Sequence, residues 1–325
     1  MKFVLSQSLC PEGMAAIREK ADAYVADRTN VNEFIDEMQD ADAVVIRVAS
    51  MDADAIARCP HLKVIGRPGV GYDSIDVAAA TAAGIPVVLT PGTNSRSVAE
   101  HTLAMMFAAS KNIVEGQLAV KKGDFFAARS TGRVFELQGK TVAVLGVGAI
   151  GKDVAALCQA LGMNVLGYDP FLSKEQMEAL GCKYYADYED MLPVCDFLTV
   201  HVPLTEKTRG MISRPQLKKM KPTAIVINCA RGGIVNEHDL AEALESGTIA
   251  GAGIDVYEHE PPAVNDPLLS ARHLVCSPHS ASMTKEAVVR MAEMCVEGCM
   301  TVLEGRKWPY VADKAVYDHP RWAGK

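Results

Sequence analysis

The chain lacks any surplus of positive charge. Its 33 Lys and Arg stand against 40 Asp and Glu, a formal net charge of −7. No basic surface therefore recommends nucleic acid or an anionic membrane as a partner. Long apolar runs are also missing; those present are short and broken by charge or glycine, so no transmembrane span is expected. The start, Met1-Lys-Phe-Val-Leu-Ser, turns polar too soon for a signal peptide, and a cytoplasmic protein is expected. The nine cysteines include no C-x-x-C pair. Cys295 and Cys299 share a helix face, but no neighbouring Cys or His completes a metal site. Reduced thiols and no metal are the expectation. Repeats and low-complexity segments are absent. What remains is a globular composition, 49% hydrophobic and 22% charged over 325 residues, enough for two domains.

The most informative segment is Thr141-Val-Ala-Val-Leu-Gly-Val-Gly-Ala-Ile-Gly151. An apolar, β-branched run reads as a buried strand, and Gly146, Gly148 and Gly151 then fall in G-x-G-x-x-G spacing. Ile150, Val154, Leu157, Cys158 and Leu161 follow at helical period, and Gly162 can stop that helix. A second strand, 163–168, ends at Asp169. Each part suits a dinucleotide. Gly146 permits a tight turn, Gly148 leaves room for a pyrophosphate, and Gly151 lets helix and strand pack closely. The helix N-terminus aims free N–H groups at phosphate, and Asp169 can accept from ribose hydroxyls. A glycine-rich turn alone is weak evidence; strand, helix, second strand and acid at this spacing are stronger. Asp169 also repels a 2′-phosphate, and Pro170-Phe-Leu-Ser supplies no arginine, so NAD is expected rather than NADP.

The first hundred residues alternate short strands (3–5, 43–46, 63–65, 86–89) with helices (12–20, 33–38, 75–83), an α/β sheet of its own. Ser97-Val-Ala-Glu100 reads as a capping box opening an apolar helix through Leu103, Met106 and Phe107. A polar stretch, 121–140, follows. Strand and helix alternation then resumes, with strands at 197–200, 224–228, 250–254 and 274–276 and a helix 240–244 capped from Asn236. A last helix, 284–304, carries Val288, Met291, Cys295, Gly298 and Val302 on one face and is expected to pack back on the first domain. Among the eight histidines, the residues alone leave His101, His201 and His279 equally eligible for chemistry. Asp255 at a strand end reads equally as a helix cap, and Arg67 as an ion-pair partner.

Several ordered segments carry a resemblance to a known family. Gly66-Arg-Pro-Gly-Val-Gly-Tyr-Asp-Ser-Ile-Asp76 is similar to the substrate loop of the D-isomer-specific 2-hydroxyacid dehydrogenases, and Thr90-Pro-Gly-Thr-Asn-Ser-Arg-Ser-Val-Ala-Glu-His101 to their hinge. His201-Val-Pro-Leu-Thr205, Asn228-Cys-Ala-Arg-Gly-Gly233, Asp255-Val-Tyr-Glu-His-Glu-Pro261 and Ser277-Pro-His-Ser-Ala-Ser282 match further signatures in order. Across roughly residues 44–304 the chain resembles the phosphoglycerate dehydrogenase branch most. The resemblance implies two Rossmann-like or flavodoxin-like doubly wound α/β domains, the NAD-binding one inserted in the other. The expected boundaries are 1–97 plus 285–325 for substrate binding and 98–284 for NAD binding.

Roles follow from the resemblance too. Arg231 matches the substrate arginine, Glu260 the catalytic acid and His279 the acid/base; Glu258 is an alternative that the Glu-Pro context disfavours. Asp255 matches the holder of the nicotinamide carboxamide, Ala149 and Ile150 the pyrophosphate binders, and Val202, Pro203 and Cys229 the cofactor lining. Val70, Gly71 and Asn94 match substrate positions. Arg47 lies where phosphoglycerate enzymes place a phosphate-binding arginine, with pairing to Asp52 or Asp73 as its structural alternative. The residue types suit hydride transfer at C2 of a 2-hydroxy acid. The hydroxyl proton needs a base near neutrality, a carboxylate on the ring supports imidazolium, and an arginine grips the carboxylate and polarises the oxo group.

The expected activity is that of an NAD-dependent D-2-hydroxyacid dehydrogenase acting on 3-phosphoglycerate or a similar dianion. A hydroxypyruvate/glyoxylate-type reductase and a non-enzymatic NAD-sensing relative are the alternatives. Val48 and Pro68 depart from the phosphoglycerate pattern. The chain ends soon after the last helix, so feedback through a C-terminal serine-sensing domain is not expected. A homodimer is expected, through the helix 98–108 and the segment 125–134.

Overall fold

The computed structural model describes residues 1–129 and 134–324. They form two compact units, Met1–Asn94 with Met283–Lys325, and Ser95–Ser282.

In the first unit, β1 (Lys2–Leu5), α1 (Pro11–Arg18), β2 (Asp22–Val25), α2 (Ile35–Met38), β3 (Ala43–Val45), α3 (Ala53–Ala57), β4 (Val64–Gly66), α4 (Val77–Ala82) and β5 (Val87–Val88) follow in chain order. The strands pair in the order β2-β1-β3-β4-β5, all parallel. Side chains alternate between faces along each strand. Phe3 and Leu5 pack with Met14 and Ile17 of α1 and with Cys295, Cys299 and Val302 of the returning helix Lys285–Leu303. Val4, between them, faces Ile35, Met38 and Ile56. A strand covered on both faces reads as a continuous apolar run, which is why 3–5 is conspicuous in the sequence. The edge strand β2 is half-exposed and was not expected; Asp22 and Tyr24 point to solvent. The returning helix starts at its Thr284 cap, whose side chain accepts from Ala287 N–H.

In the second unit, α5 (Ser95–Ser110), α6 (Ile113–Lys122) and α7 (Phe125–Arg129) precede β6 (Thr141–Leu145), α8 (Ala149–Ala160), β7 (Asn164–Tyr168), α9 (Lys174–Ala179), β8 (Lys183–Tyr184) and β9 (Phe197–Val200). Then come α10 (Arg214–Leu217), β10 (Ile225–Asn228), α11 (Glu237–Glu245), β11 (Gly251–Ile254), α12 (Pro267–Ser270) and β12 (Leu274–Cys276). The sheet order is β12-β11-β10-β9-β6-β7-β8, again all parallel. Val142, Val144, Phe197 and Ile227 share one face with Met106 of α5 and Val154 of α8. Ala143, Leu145, Leu198 and Val226 share the other with Leu217, Leu240 and Leu268. Phe197 is fully buried, worth about 1.5–3 kcal/mol of transfer free energy.

Two expectations fail before this sheet. Ser97 is not a helix cap: α5 begins at Ser95, and the Ser97 hydroxyl, buried, donates to the Ala281 carbonyl at 2.6 Å. A tertiary partner outcompetes the local capping pattern. The stretch 121–140 is not simply polar either. The unexpected α6 runs into it, and α7 exposes Phe125 and Phe126; residues 130–133 lie outside the described residues. Among the described residues no helix is long and apolar enough to cross a membrane.

Candidate active site

In open parallel sheets ligands collect beyond the carboxyl ends of strands, where the strand order reverses. In the second sheet the reversal lies between β6 and β9. The glycine loop leaves β6 there, and His201-Val202-Pro203 leaves β9. Gly146 has φ of +90°, a region that favours glycine, and a Cβ on it would meet the His201 carbonyl at 2.8 Å. A Cβ on Gly151 would lie 2.1 Å from the Gly146 carbonyl oxygen, so backbone packs on backbone. At Gly148 a Cβ meets nothing within 4 Å. Gly148 and Ala149 are exposed, and no side chain caps the α8 N-terminus. Open space in front of uncapped N–H groups, Ala149 and Ile150 among them, fits a pyrophosphate.

Asp169 ends the next strand and shapes the same cradle. Its carboxylate accepts from Val147 N–H and Phe171 N–H, both at 2.9 Å, which ties the glycine loop to β7. Each oxygen keeps acceptor capacity for a ribose hydroxyl. Val202 is half-buried and Pro203 exposed on the opposite wall. Cys229 is buried with its thiol in the core; burial pushes that thiol up to about 12, so it is no nucleophile. His201 turns inward as well. Its Nε2 sits 2.9 Å from Thr199 Oγ1, its Nδ1 has no partner, and burial lowers its pKa to about 3. It is a neutral packing residue.

Three candidates converge in the second unit. His279 follows β12 with φ of +51°, and its Nδ1 lies 2.7 Å from Glu260 Oε2. Glu260 Oε1 accepts from Tyr257 N–H at 3.1 Å. Burial pushes the Glu260 carboxyl up, but the His279 hydrogen bond and charge, the Tyr257 N–H and the Arg231 charge outweigh it, and the net shift is downward. Glu260 is thus a carboxylate at neutral pH, able to balance an imidazolium. Glu258 turns away to α11, where its Oε1 accepts from Glu237 N–H at 3.4 Å while its own N–H donates back to the Glu237 carboxylate. Arg231 stands on a turn built by Asn228, which accepts from Ala230 N–H at 3.0 Å and donates to the Arg231 carbonyl at 2.8 Å. At the next residue, Gly232, a Cβ would lie 1.9 Å from the Tyr257 carbonyl oxygen. Only glycine lets the arginine turn press against the loop that carries Glu260. Asp255 ends β11, wholly buried, with its carboxylate accepting from Ser277 Oγ and from the N–H groups of Ser280 and Ala281.

The first unit carries the remaining candidates, beyond the carboxyl ends of its own strands. Its order reverses between β1 and β3, and Arg47 stands just past that point. The Arg47 N–H donates to Ser6 Oγ at 3.0 Å and its guanidinium to the Ser8 carbonyl at 2.9 Å. Among the described residues it makes no ion pair; Asp52 instead caps α3. The loop after β4 exposes Val70, with Gly71 half-buried; Asn94 is buried. Arg67, expected as an ion-pair partner, braces this loop by donating to the Gly71 carbonyl at 2.7 Å and to the Arg47 carbonyl. Tyr257 and Ser277 are site residues that sequence reasoning left without a role, and Arg67 was given none at the site. Arg67 and the Tyr257 hydroxyl reach backbone carbonyls, for which no sequence pattern exists, and Ser277 meets side chains far away in the sequence, Asp255 and His101.

Comparison with known proteins adds to this geometry. Residues 103–281 match the family model described as D-isomer specific 2-hydroxyacid dehydrogenase, NAD binding domain. The D-3-phosphoglycerate dehydrogenase of Archaeoglobus fulgidus is 41% identical over 307 residues, 94% of this chain. The chain spans 58% of that relative's length. A solved protein from Thermus thermophilus superposes with a TM-score of 0.88 at 31% identity, over 96% of this chain and all of that one. An NADPH-dependent glyoxylate/hydroxypyruvate reductase from Sinorhizobium meliloti, solved with NADP and malonate, gives 0.84 at 25% identity over 97% of each chain.

Proposed function

The chain belongs to the D-isomer-specific 2-hydroxyacid dehydrogenase family, and from that premise we propose that it interconverts a 2-hydroxy acid and its 2-oxo acid with NAD. The observation that carries this reading is the 2.7 Å contact between His279 Nδ1 and Glu260 Oε2, on loops that also hold Arg231. Such a pair moves one proton at neutral pH and leaves the charge balanced. When bound, NADH supplies the hydride. The protein supplies the rest. Arg231 binds the substrate carboxylate and polarises the 2-oxo group; His279 donates the proton that the new hydroxyl requires; Glu260 holds the ring and offsets its charge. The unit Ser95–Ser282 is assigned NAD binding, through the glycine loop, Ala149, Ile150, Asp169, Val202, Pro203 and Cys229. The unit of both termini is assigned substrate recognition, through Arg47, Val70, Gly71 and Asn94. Asp169 favours NADH over NADPH.

Arg47 is assigned a second anionic group on the substrate, so 3-phosphohydroxypyruvate or a similar dianion should outperform pyruvate, hydroxypyruvate and glyoxylate. Its position at the strand reversal and its lack of an acidic partner among the described residues support this. The name of the archaeal relative points the same way. The Sinorhizobium protein keeps a smaller-substrate reading in play. NADH absorbance with a panel of 2-oxo acids decides. No turnover with any of them would overturn the enzymatic reading in favour of an NAD sensor.

The assembly is assigned as a cytoplasmic homodimer. Support comes from α6, which buries no residue, and from Leu118, Val120, Phe125 and Phe126, all more than half exposed. A patch of this kind is uncommon on a monomer. A monomeric mass by light scattering at micromolar protein would count against it.

A further inference from the structure

We propose that Ser277 and His101 are positioning residues for His279. The reason is a closed ring of hydrogen bonds in which Ser277 holds both the His279 loop and the Glu260 loop. One arm runs through Asp255. The Ser277 hydroxyl donates to Asp255 Oδ1 at 2.5 Å; Ser280 N–H and Ala281 N–H donate to the same carboxylate at 2.9 and 3.0 Å. The Asp255 carbonyl accepts from His279 N–H at 2.7 Å. One buried residue therefore grips the chain at His279 itself and on both sides of it. That grip matters because His279 adopts φ of +51°, a conformation that residues other than glycine seldom hold unaided. The other arm runs through Tyr257. Its hydroxyl donates to the Ser277 carbonyl at 3.0 Å and its N–H to Glu260 Oε1 at 3.1 Å. The Glu260–His279 contact closes the ring.

His101 secures the junction from α5. Its Nε2 lies 2.9 Å from Ser277 Oγ and 3.5 Å from Asp255 Oδ1. The Ser277 proton is committed to the Asp255 carboxylate, which can only accept. His101 Nε2 must then carry a hydrogen and donate to Ser277 Oγ. The order of donors is His101, Ser277, Asp255. Asp255, which the family resemblance reserves for the cofactor, already holds the His279 loop through its carboxylate. Neither His101 nor Ser277 needs to touch a substrate.

The catalytic consequence rests on the dehydrogenase reading above; the structural one does not. The test uses the full-length protein with Ser277→Ala, Ser277→Thr and His101→Gln. Amide hydrogen exchange at Ser280 and Ala281 needs no activity, and in Ser277→Ala it should accelerate by roughly tenfold or more as the loop opens locally. With a 2-oxo acid that the wild type turns over, kcat should fall roughly 10–100-fold, the scale of a misplaced catalytic group. KM for that acid and the Kd for NADH, read by fluorescence, should change by less than about threefold. Ser277→Thr restores the hydroxyl and should recover both readouts. His101→Gln keeps a donor and should show a smaller loss of the same kind; it serves if Ser277→Ala does not fold. Unchanged exchange at Ser280 and Ala281 overturns the proposal. So does weakened NADH binding at unchanged kcat, which would assign the ring to the cofactor. A wild type without turnover but with faster exchange in Ser277→Ala sinks the enzymatic reading alone.

Discussion

The two units solve one architectural problem in the same way and then diverge. Both are parallel sheets covered on two faces, and both place their candidate residues past the carboxyl ends of strands. In the second unit, candidates on successive strand ends bond to one another: Asp255 to the His279 loop, Tyr257 to Glu260, Glu260 to His279. In the first unit, Arg47 donates to the Ser6 hydroxyl and the Ser8 carbonyl, and Arg67 braces the loop after β4 through the Gly71 carbonyl. Chemistry needs groups fixed against each other within fractions of an ångström. Recognition of an anion needs a charge in the right region. On the proposed reading the second unit does the common reaction and the first selects the substrate. Two carboxylates sharpen the contrast at close range. Glu260, facing His279, is held below the usual carboxylate range. Glu237 is raised to about 7, first by burial and then by Glu258, Asp266 and Glu260, against which one backbone N–H is too little.

The comparison breaks most sharply at His279. His279→Ala should cut kcat by roughly 10²–10⁴ while NADH still binds, by stopped-flow and fluorescence titration; an intact kcat would remove the acid/base role. Glu260→Gln should lose activity at high pH first, because the imidazolium loses its counter-charge, and an unchanged pH profile would dissolve the pair. Gly232→Ala forces the Tyr257 backbone to move. It should cost about 10²-fold in kcat, with NADH binding little affected.

Arg47, in the unit assigned to selection, should respond differently. Arg47→Ala should raise KM for a dianionic oxo acid by roughly 10–100-fold and leave monoanions nearly unchanged. An equal effect on both would make Arg47 structural. Asp169→Ala should erode the preference for NADH over NADPH by about 1–2 kcal/mol, the scale of a lost charged hydrogen bond. Equal kcat/KM for the two cofactors in the wild type would refute the basis of that prediction. The smallest effect belongs to Glu237→Gln. A folded pKa of about 7 against an ordinary value of 4.5 means the folded state binds the extra proton. Stability from this group is complete below about 4.5 and is lost as pH rises through about 7. The wild-type Tm should therefore decline across that window relative to Glu237→Gln; parallel curves would show that Glu237 titrates normally.

How much was legible depends on the range of the interaction concerned. Strand 141–145 and its glycine loop are local: a β-branched threonine and four apolar residues, then Gly146 and Gly151, where an added Cβ would meet backbone. The last helix shows its Thr284 cap and its period. The edge strands β2 and β8 escaped notice because half-exposed residues leave no apolar run. Ser97 misled because its true partner, the Ala281 carbonyl, is 184 residues away.

The sequence by itself determined the parallel α/β class and the glycine loop after strand 141–145, and the order of its motifs put Arg231, Glu260 and His279 forward as candidates. Those features rest on residue type at short spacing, or on motifs that keep their order. Only the tertiary structure separated the three candidate histidines by what each one meets. His201 is half-buried with its ring turned onto Thr199 and His101 is engaged with Ser277, while His279 meets Glu260. The choice depends on which loops the parallel strands bring to one edge. Backbone carbonyls and N–H groups make many of the contacts that hold those loops, and every residue except proline offers the same pair of groups.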